Sequence, residues 1–221
     1  MITVDVWSDI ACPWCYIGKR NLEAGIRAFQ AQHPGEEVAV TYHSFELSPD
    51  TPVDFEGSEQ DFLVQRKGMR PEQVAQMLER VTGVAAAAGL DYRFDDVRHT
   101  NTRKAHELLH HAAAADAQAE AAERLMHAYF TEGRHLGRPE VLADIAAEAG
   151  LDRDDALRSL TAGEHASAVE ADVQQAMRLG IDGVPYAVLD RRFGLSGAQP
   201  PEVFAEALER TLAARAGTPP A

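Results

Sequence analysis

Apolar and polar positions change period repeatedly along the chain, and each change marks an element. Ile2 to Trp7, with Val4 and Val6, has the composition of a strand. From Tyr16 to Phe29 the apolar spacing lengthens to that of a helix, with Leu22, Ile26 and Phe29 on one buried stripe, and His33-Pro34-Gly35 breaks it. Alternation returns from Val38 to Phe45, where Val38, Val40 and Tyr42 predict a second strand. Glu46 to Glu56, holding Pro49 and Pro52, reads as a turn-rich connector. Ser58 to Leu179 then predicts helix almost throughout. It is Ala-rich, with Pro71 and Pro139 suited to helix starts and Gly68, Gly89, Gly133, Gly150 and Gly163 near helix ends. Gly183 to Leu189 predicts a third strand, Asp190-Arg191-Arg192 a tight turn and Phe193 to Ser196 a fourth strand. Pro200 or Pro201 opens a closing helix with Phe204, Leu208 and Leu212 on one face, and Ala216 to Ala221 reads as a frayed tail. No internal repeat is evident.

With 221 residues, 45% of them hydrophobic, the chain is long enough for one large domain or a core with an inserted subdomain. No stretch approaches the roughly 18 apolar residues that span a bilayer. Met1 leads straight into the first strand, with Asp5 and Asp9 close behind, and not into a basic, then apolar, then small-residue leader. The expectation is a cytoplasmic protein with no membrane partner. The net charge of -14, from 35 acidic against 21 basic residues, argues against phosphate backbones and so against nucleic acid as a partner. The acidic excess is most simply a solvated surface.

Only 2 cysteines occur, and both stand in Cys12-Pro13-Trp14-Cys15, between the first strand and the first helix. Strand, turn, thiol, helix is the order of a redox site. Cys12 then sits at or next to the helix N-cap, with Pro13 at the first helical position, where a missing N–H costs nothing. Unpaired N–H groups and the positive end of the helix dipole stabilise a thiolate there, which makes Cys12 the expected nucleophile. A four-cysteine zinc site needs a second pair, and a structural disulfide across so short a loop adds little stability. In a reducing compartment, thiol chemistry is the better reading. Trp14, between the two sulfurs, is either a substrate platform or a cap over the helix start.

His106-Glu107-Leu108-Leu109-His110 raises a rival from another enzyme class. Two histidines one helical turn apart bind zinc in such a pattern, with the glutamate as general base of a hydrolase. A catalytic zinc also needs a third protein ligand, and no downstream signature supplies one. So short a pattern arises by chance in a chain with 9 histidines, and the expectation is no bound metal.

Several blocks together carry a family resemblance: Ser8 to Gly18 around the cysteines, Phe45-Glu46-Leu47-Ser48-Pro49-Asp50, Asn101 to His106, Gly183-Val184-Pro185 and Ser196-Gly197-Ala198-Gln199-Pro200. In this order they resemble the FrnE-type branch of the DsbA-like thioredoxin superfamily, over residues 1–212. The resemblance implies an α/β, thioredoxin-like fold with a large all-helical insertion. It implies a nucleophilic Cys12, a resolving Cys15 and a cis-proline at Pro185 facing them, with the backbone of Val184 offered to an extended substrate chain. The expected organisation is a discontinuous core from residues 1–56 and 164–216, an insertion over 57–163 and a tail over 217–221. Some members of the branch carry a second Cys-X-X-Cys pair near the C-terminus, which this chain lacks. Kappa-class glutathione transferases and 2-hydroxychromene-2-carboxylate isomerases are similar in architecture but place serine where Cys12 stands.

The expected function is therefore a thiol-disulfide oxidoreductase acting on a disulfide- or thiol-containing protein or small molecule. It needs no bound cofactor, with glutathione as a candidate redox partner. The alternatives are a glutathione-dependent isomerase or transferase on a small aromatic or polyketide-like molecule, the zinc hydrolase, and a non-enzymatic holder of extended chains. Pro13, Trp14, Val184 and Pro185 are expected to meet the substrate. Asn101 and His106 either line the cleft facing Cys12 or serve as a helix cap and a surface histidine. Ser196 and Gln199, before the closing helix, either form an anion-binding loop for a carboxylate such as that of glutathione or cap the helix.

Overall fold

The computed structural model describes residues 1–217; Thr218 to Ala221, most of the expected tail, lie outside the described residues. At its centre β1 (Ile2–Ser8) pairs in parallel with β2 (Val38–Ser44), from Ile2 opposite Val38 to Ser8 opposite Ser44. On its other edge β1 pairs antiparallel with β3 (Tyr186–Leu189), which pairs antiparallel with β4 (Phe193–Ser196), giving the order β2-β1-β3-β4. A parallel pair needs a crossover, and α1 (Pro13–Gln32) supplies it.

The alternation of β1 divides the core. Ile2, Val4 and Val6 join Leu22 and Phe29 of α1 and Phe204 and Leu208 of α9 (Pro201–Arg215) on one face. Trp7 joins Ala176 of α8 (Ala166–Leu179) and Ile181 on the other. Helices α1 and α9 touch so closely that a Cβ at Gly25 would stand 2.6 Å from Phe204 Cβ and 2.7 Å from the Pro201 carbonyl. Only glycine fits there.

Between β2 and α8 lie α2 (Glu59–Lys67), α3 (Pro71–Ala87), α4 (Arg103–Ala113), α5 (Gln118–Phe130), α6 (Pro139–Glu148) and α7 (Arg153–Ala162). Ser58 caps α2 and Asp152 caps α7, each accepting from the backbone N–H three residues on. Helix α4 is the pivot of this region: Ala105, Leu108, Leu109 and Ala112 are buried, and it packs against α5, α6, α7 and α8. The mixed sheet with helices on both faces and this insertion between β2 and α8 is a thioredoxin-like α/β fold with a large helical insertion.

Two expectations are corrected. Residues 88–102, expected to be helical, form an irregular loop that starts where Gly89 takes a φ of 78° and buries Leu90, Tyr92 and Val97. The third strand begins at Tyr186 and not at Gly183, because Pro185 has no N–H to give the ladder.

Candidate active site

Cys12 is the N-cap of α1, with backbone φ -90° and ψ 113°, and Pro13 is the first residue of the helix. The Cys12 N–H donates to the Asp9 carbonyl at 3.1 Å and the Cys15 N–H to the Cys12 carbonyl at 3.0 Å, so the turn is fixed from both sides. Both cysteines are free thiols and both are buried. Their surroundings differ. Cys12 Sγ donates to the Val184 carbonyl at 3.8 Å, at the mouth of the site. Burial pushes the Cys15 thiol well above its usual range, and the neighbouring Cys12 sulfur adds to that; the Asp9 backbone N–H and the Ser8 hydroxyl pull the other way.

The Val184–Pro185 peptide bond is cis. The Pro185 ring lies against α1, where a Cβ at Gly18 would stand 3.0 Å from Pro185 Cγ, and the Pro185 carbonyl accepts from the Gly197 N–H at 2.8 Å. Trp14, between the two cysteines, is 40% exposed. The Pro13 carbonyl accepts from the Tyr92 hydroxyl at 2.6 Å, so the irregular loop of the insertion holds the cysteine turn directly. Tyr92 is buried and stacks on Phe130 at 4.6 Å between centroids.

One turn further along, α1 is anchored to α5. The Glu123 carboxylate accepts from Tyr16 at 2.5 Å, from Lys19 at 2.8 Å and from Arg20. Burial raises this carboxyl, but the hydrogen bonds from Arg20, Lys19 and Tyr16 overcome it and bring its pKa down to about 2.

Beneath the turn, Asp9 is buried and accepts from the Leu47 N–H at 2.8 Å and the Ala11 N–H at 3.3 Å. His106 Nε2 stands 3.4 Å from Asp9 Oδ1, and the ring is completely buried. His106 is thus an interior residue below the thiols, against the surface reading. A cavity of about 120 Å³ opens beside the turn, lined by Ala11, Pro13, Leu47, Thr51, Glu59 and Phe62 among others.

Other expected residues have different work. The Asn101 carbonyl oxygen accepts from the Arg103 N–H at 2.9 Å and its amide donates to the Pro49 carbonyl at 2.8 Å, so it starts α4 and braces the connector. In the closing loop the Gln199 amide donates back to the Ser196 carbonyl at 2.6 Å, and the Gln199 carbonyl accepts from Asn21. Pro200 is the N-cap and Pro201 the first residue of α9, so neither offers an N–H to an anion, and Glu202 follows in the first turn. The residues of the zinc-like pattern turn to separate partners: His106 meets Asp9, Glu107 meets Lys104 at 3.0 Å, and His110 meets Asp172 at 3.1 Å and Ser44. Tyr92, Asp9 and Ser8 are the contributors to the thiol surroundings that residue chemistry along the chain does not single out.

The family described as DSBA-like thioredoxin domain matches residues 3–209. A crystal structure described as probable DsbA oxidoreductase SCO1869 from Streptomyces coelicolor superposes with a TM-score of 0.88 at 37% identity, over 96% of this chain and 91% of that one. The uncharacterized protein YwbO of Bacillus subtilis is 26% identical over 152 residues, 68% of each chain. The cytosolic disulfide reductase DsbM from Pseudomonas aeruginosa shares the fold, with a TM-score of 0.66 at 19% identity over 96% of this chain and 99% of its own. With paired thiols capping the first helix, a proline loop packed against that helix and a match along nearly its whole length, the chain belongs to the DSBA-like thioredoxin domain family.

Proposed function

We propose that this chain is a thiol-disulfide oxidoreductase of the FrnE-type branch, with Cys12 as nucleophile and Cys15 as resolving thiol. The observation that carries the reading is the asymmetry of the pair. One sulfur caps a helix beside the Val184 carbonyl, and the other lies beneath it with its thiol pushed up by burial. The first sulfur stands at the N-terminus of α1 and meets the substrate; the second stays protonated until it is needed. The Cys12 thiolate attacks one sulfur of a substrate disulfide and expels the other as a thiolate. Cys15, losing its proton, then attacks the Cys12 sulfur and releases the second substrate thiolate. The substrate disulfide gains two electrons and the dithiol loses two; run backwards, the same steps oxidise a substrate. Val184 and Pro185 line the edge where an extended chain lies, with Pro13 and Trp14 opposite. Such a pair works in a reducing compartment, the cytoplasm, where glutathione is the abundant small thiol able to reset it.

A Cys15→Ser variant is expected to accumulate mixed disulfides with its substrates in lysate, and Cys12→Ser is expected to trap nothing. Equal trapping by the two variants, or by neither, sinks the reading.

A further inference from the structure

Ser8 ends β1, and its side chain falls on the strand face of Ile2, Val4 and Val6, the face that α1 covers. Its hydroxyl therefore lies beneath the first turn of α1, next to the Cys15 sulfur. Ser8 is 3% exposed, and its Oγ has no hydrogen-bond partner. Leaving a buried hydroxyl unpaired costs about 1–3 kcal/mol, and an alanine of nearly the same shape would avoid that cost. The position is informative for that reason. The hydroxyl is idle while Cys15 is a neutral thiol and gains a strong acceptor once Cys15 ionises, since hydrogen bonds to a charged partner are about twice as strong as neutral ones.

We infer that Ser8 is a positioning residue for the resolving step, donating its hydroxyl hydrogen to the Cys15 thiolate as that sulfur attacks the Cys12 mixed disulfide. The inference rests on the exchange chemistry proposed above. In the balanced step, the Cys15 S–H proton leaves to solvent or to the departing thiolate, the Cys15–Cys12 bond forms and the Cys12–substrate bond breaks. Ser8 keeps its proton throughout. Because the contact strengthens only as charge develops on Cys15, it lowers the barrier without tightening the resting state.

The test separates the two steps by rapid mixing of the reduced protein with oxidised glutathione, acid quench and mass measurement. Ser8→Ala is expected to form the Cys12 mixed disulfide at the parental rate, within about twofold. Intramolecular release of glutathione then slows by about tenfold or more, tenfold being the lower end of the range for losing one hydrogen bond to a charged group. Ser8→Thr, which keeps the hydroxyl, is expected to stay within about threefold of the parent. A pH series adds a readout that packing alone does not move: the release step of Ser8→Ala shifts to higher pH, and alkylation of Cys12 does not. The titratable groups around Cys15 are Cys12 and Tyr16 on α1, Asp9 after β1, Tyr92 from the loop and His106 on α4, and all are common to parent and variants. Unchanged release in Ser8→Ala, equal slowing of both steps, or a threonine as slow as alanine overturns the inference. A parent that forms no mixed disulfide at all fails earlier, at the exchange chemistry itself, and takes the role of Ser8 with it.

Discussion

Two buried carboxylates, each met by a histidine of α4, are treated very differently. Asp172, on the α8 side, bonds His43 Nδ1 at 2.8 Å, His110 Nε2 at 3.1 Å and the Ser44 N–H at 2.8 Å, while its carbonyl accepts from Trp7 Nε1 at 3.3 Å. His43 in turn uses its other nitrogen on Asp5 at 3.0 Å and stacks on Trp7 at 4.5 Å. Every polar group there is answered. Asp9, on the thiol side, has two backbone donors and a histidine at 3.4 Å whose ring nitrogens have no hydrogen-bond partner. Among the described residues, the buried side-chain atoms without partners belong to Ser8, Thr51 and His106. These are neighbours of the cysteine turn: Ser8 beneath Cys15, Thr51 in the cavity beside Pro13, His106 against Asp9. A completed network joins β2, α4 and α8 and holds the fold. An incomplete one leaves donors and acceptors in reserve for groups that change charge during a reaction.

The largest expected effect comes from breaking the completed network. Asp172→Ala leaves His43, His110 and the Ser44 N–H short of an acceptor, and its cost is expected at about 3–5 kcal/mol in urea unfolding. The alkylation rate of Cys12 is expected to hold. Equal damage to stability and thiol rate would show the two sides to be one unit. The pH dependence sharpens this. Burial raises the Asp172 carboxyl, but His110, His43 and Ser44 more than offset it, so its pKa lies below the ordinary value of 3.8. Its contribution is present above 3.8 and fades as pH falls through the lower folded value. Burial lowers the His43 pKa, but Asp172 and Asp5 outweigh it and hold it above 6.5; that contribution is complete below 6.5 and fades as pH rises through the folded value. Unfolding free energy is therefore expected to peak between about pH 4 and 6.5 in the parent, with a much weaker peak in Asp172→Ala. An identical pH curve for the two proteins contradicts this.

The sequence shows the satisfied parts of the molecule better than the reserved ones. Alternation at Val38, Val40 and Tyr42 and the apolar stripe of Leu22, Ile26 and Phe29 locate β2 and α1, because periodic burial leaves a periodic trace. Cys12 and Pro13 mark the start of α1 for the same local reason. Residues 88–102 leave no such trace, since irregular backbone buries Leu90, Tyr92 and Val97 at no fixed interval. Tyr92 meets Pro13 across 79 positions of sequence, a contact set by packing and by no local pattern. His106 and His110 look like one motif in the sequence, yet they end on Asp9 and Asp172 at different polar centres. Ser196 to Gln199 carries the right donors for an anion, but consecutive prolines remove two N–H groups and Gln199 turns back onto Ser196.

A middle-sized effect is expected at Asp9. Asp9→Asn keeps an acceptor for the Leu47 N–H but removes the carboxylate that faces the His106 ring at 3.4 Å, and about 1–2 kcal/mol of stability is expected to go with it. Adding His106→Leu is then expected to cost less than about 0.5 kcal/mol more, because the ring has no other polar partner to lose. The matching pair on the other side behaves differently. After Asp172→Ala, His110 still bonds Ser44 at 3.1 Å, so His110→Leu is expected to remain costly. Chemical denaturation of the parent, the four single variants and the two double variants gives both cycles. Similar coupling on the two sides would erase the distinction between a finished and an unfinished network.

The smallest expected effect concerns Tyr92, a satisfied group inside the unfinished region. Its hydroxyl donates to the Pro13 carbonyl at 2.6 Å, and its ring lies 4.6 Å from Phe130 and 6.2 Å from Tyr16, centroid to centroid. Tyr92→Phe keeps the ring contacts and removes only the bond to the turn, so the stability loss is expected near 1 kcal/mol. The consequence for chemistry is more telling. An acceptor already engaged at Pro13 fixes the peptide that leads into Trp14, whose N–H is among the unpaired donors of the first turn of α1. With that restraint gone, the turn spends less time in the geometry that presents those donors to Cys12, and alkylation near neutral pH is expected to slow by about twofold to threefold. Far-ultraviolet circular dichroism should not change. If alkylation of Tyr92→Phe matches the parent while stability falls, the hydroxyl serves the packing of the loop alone, and the insertion holds the turn in place without adjusting its reactivity.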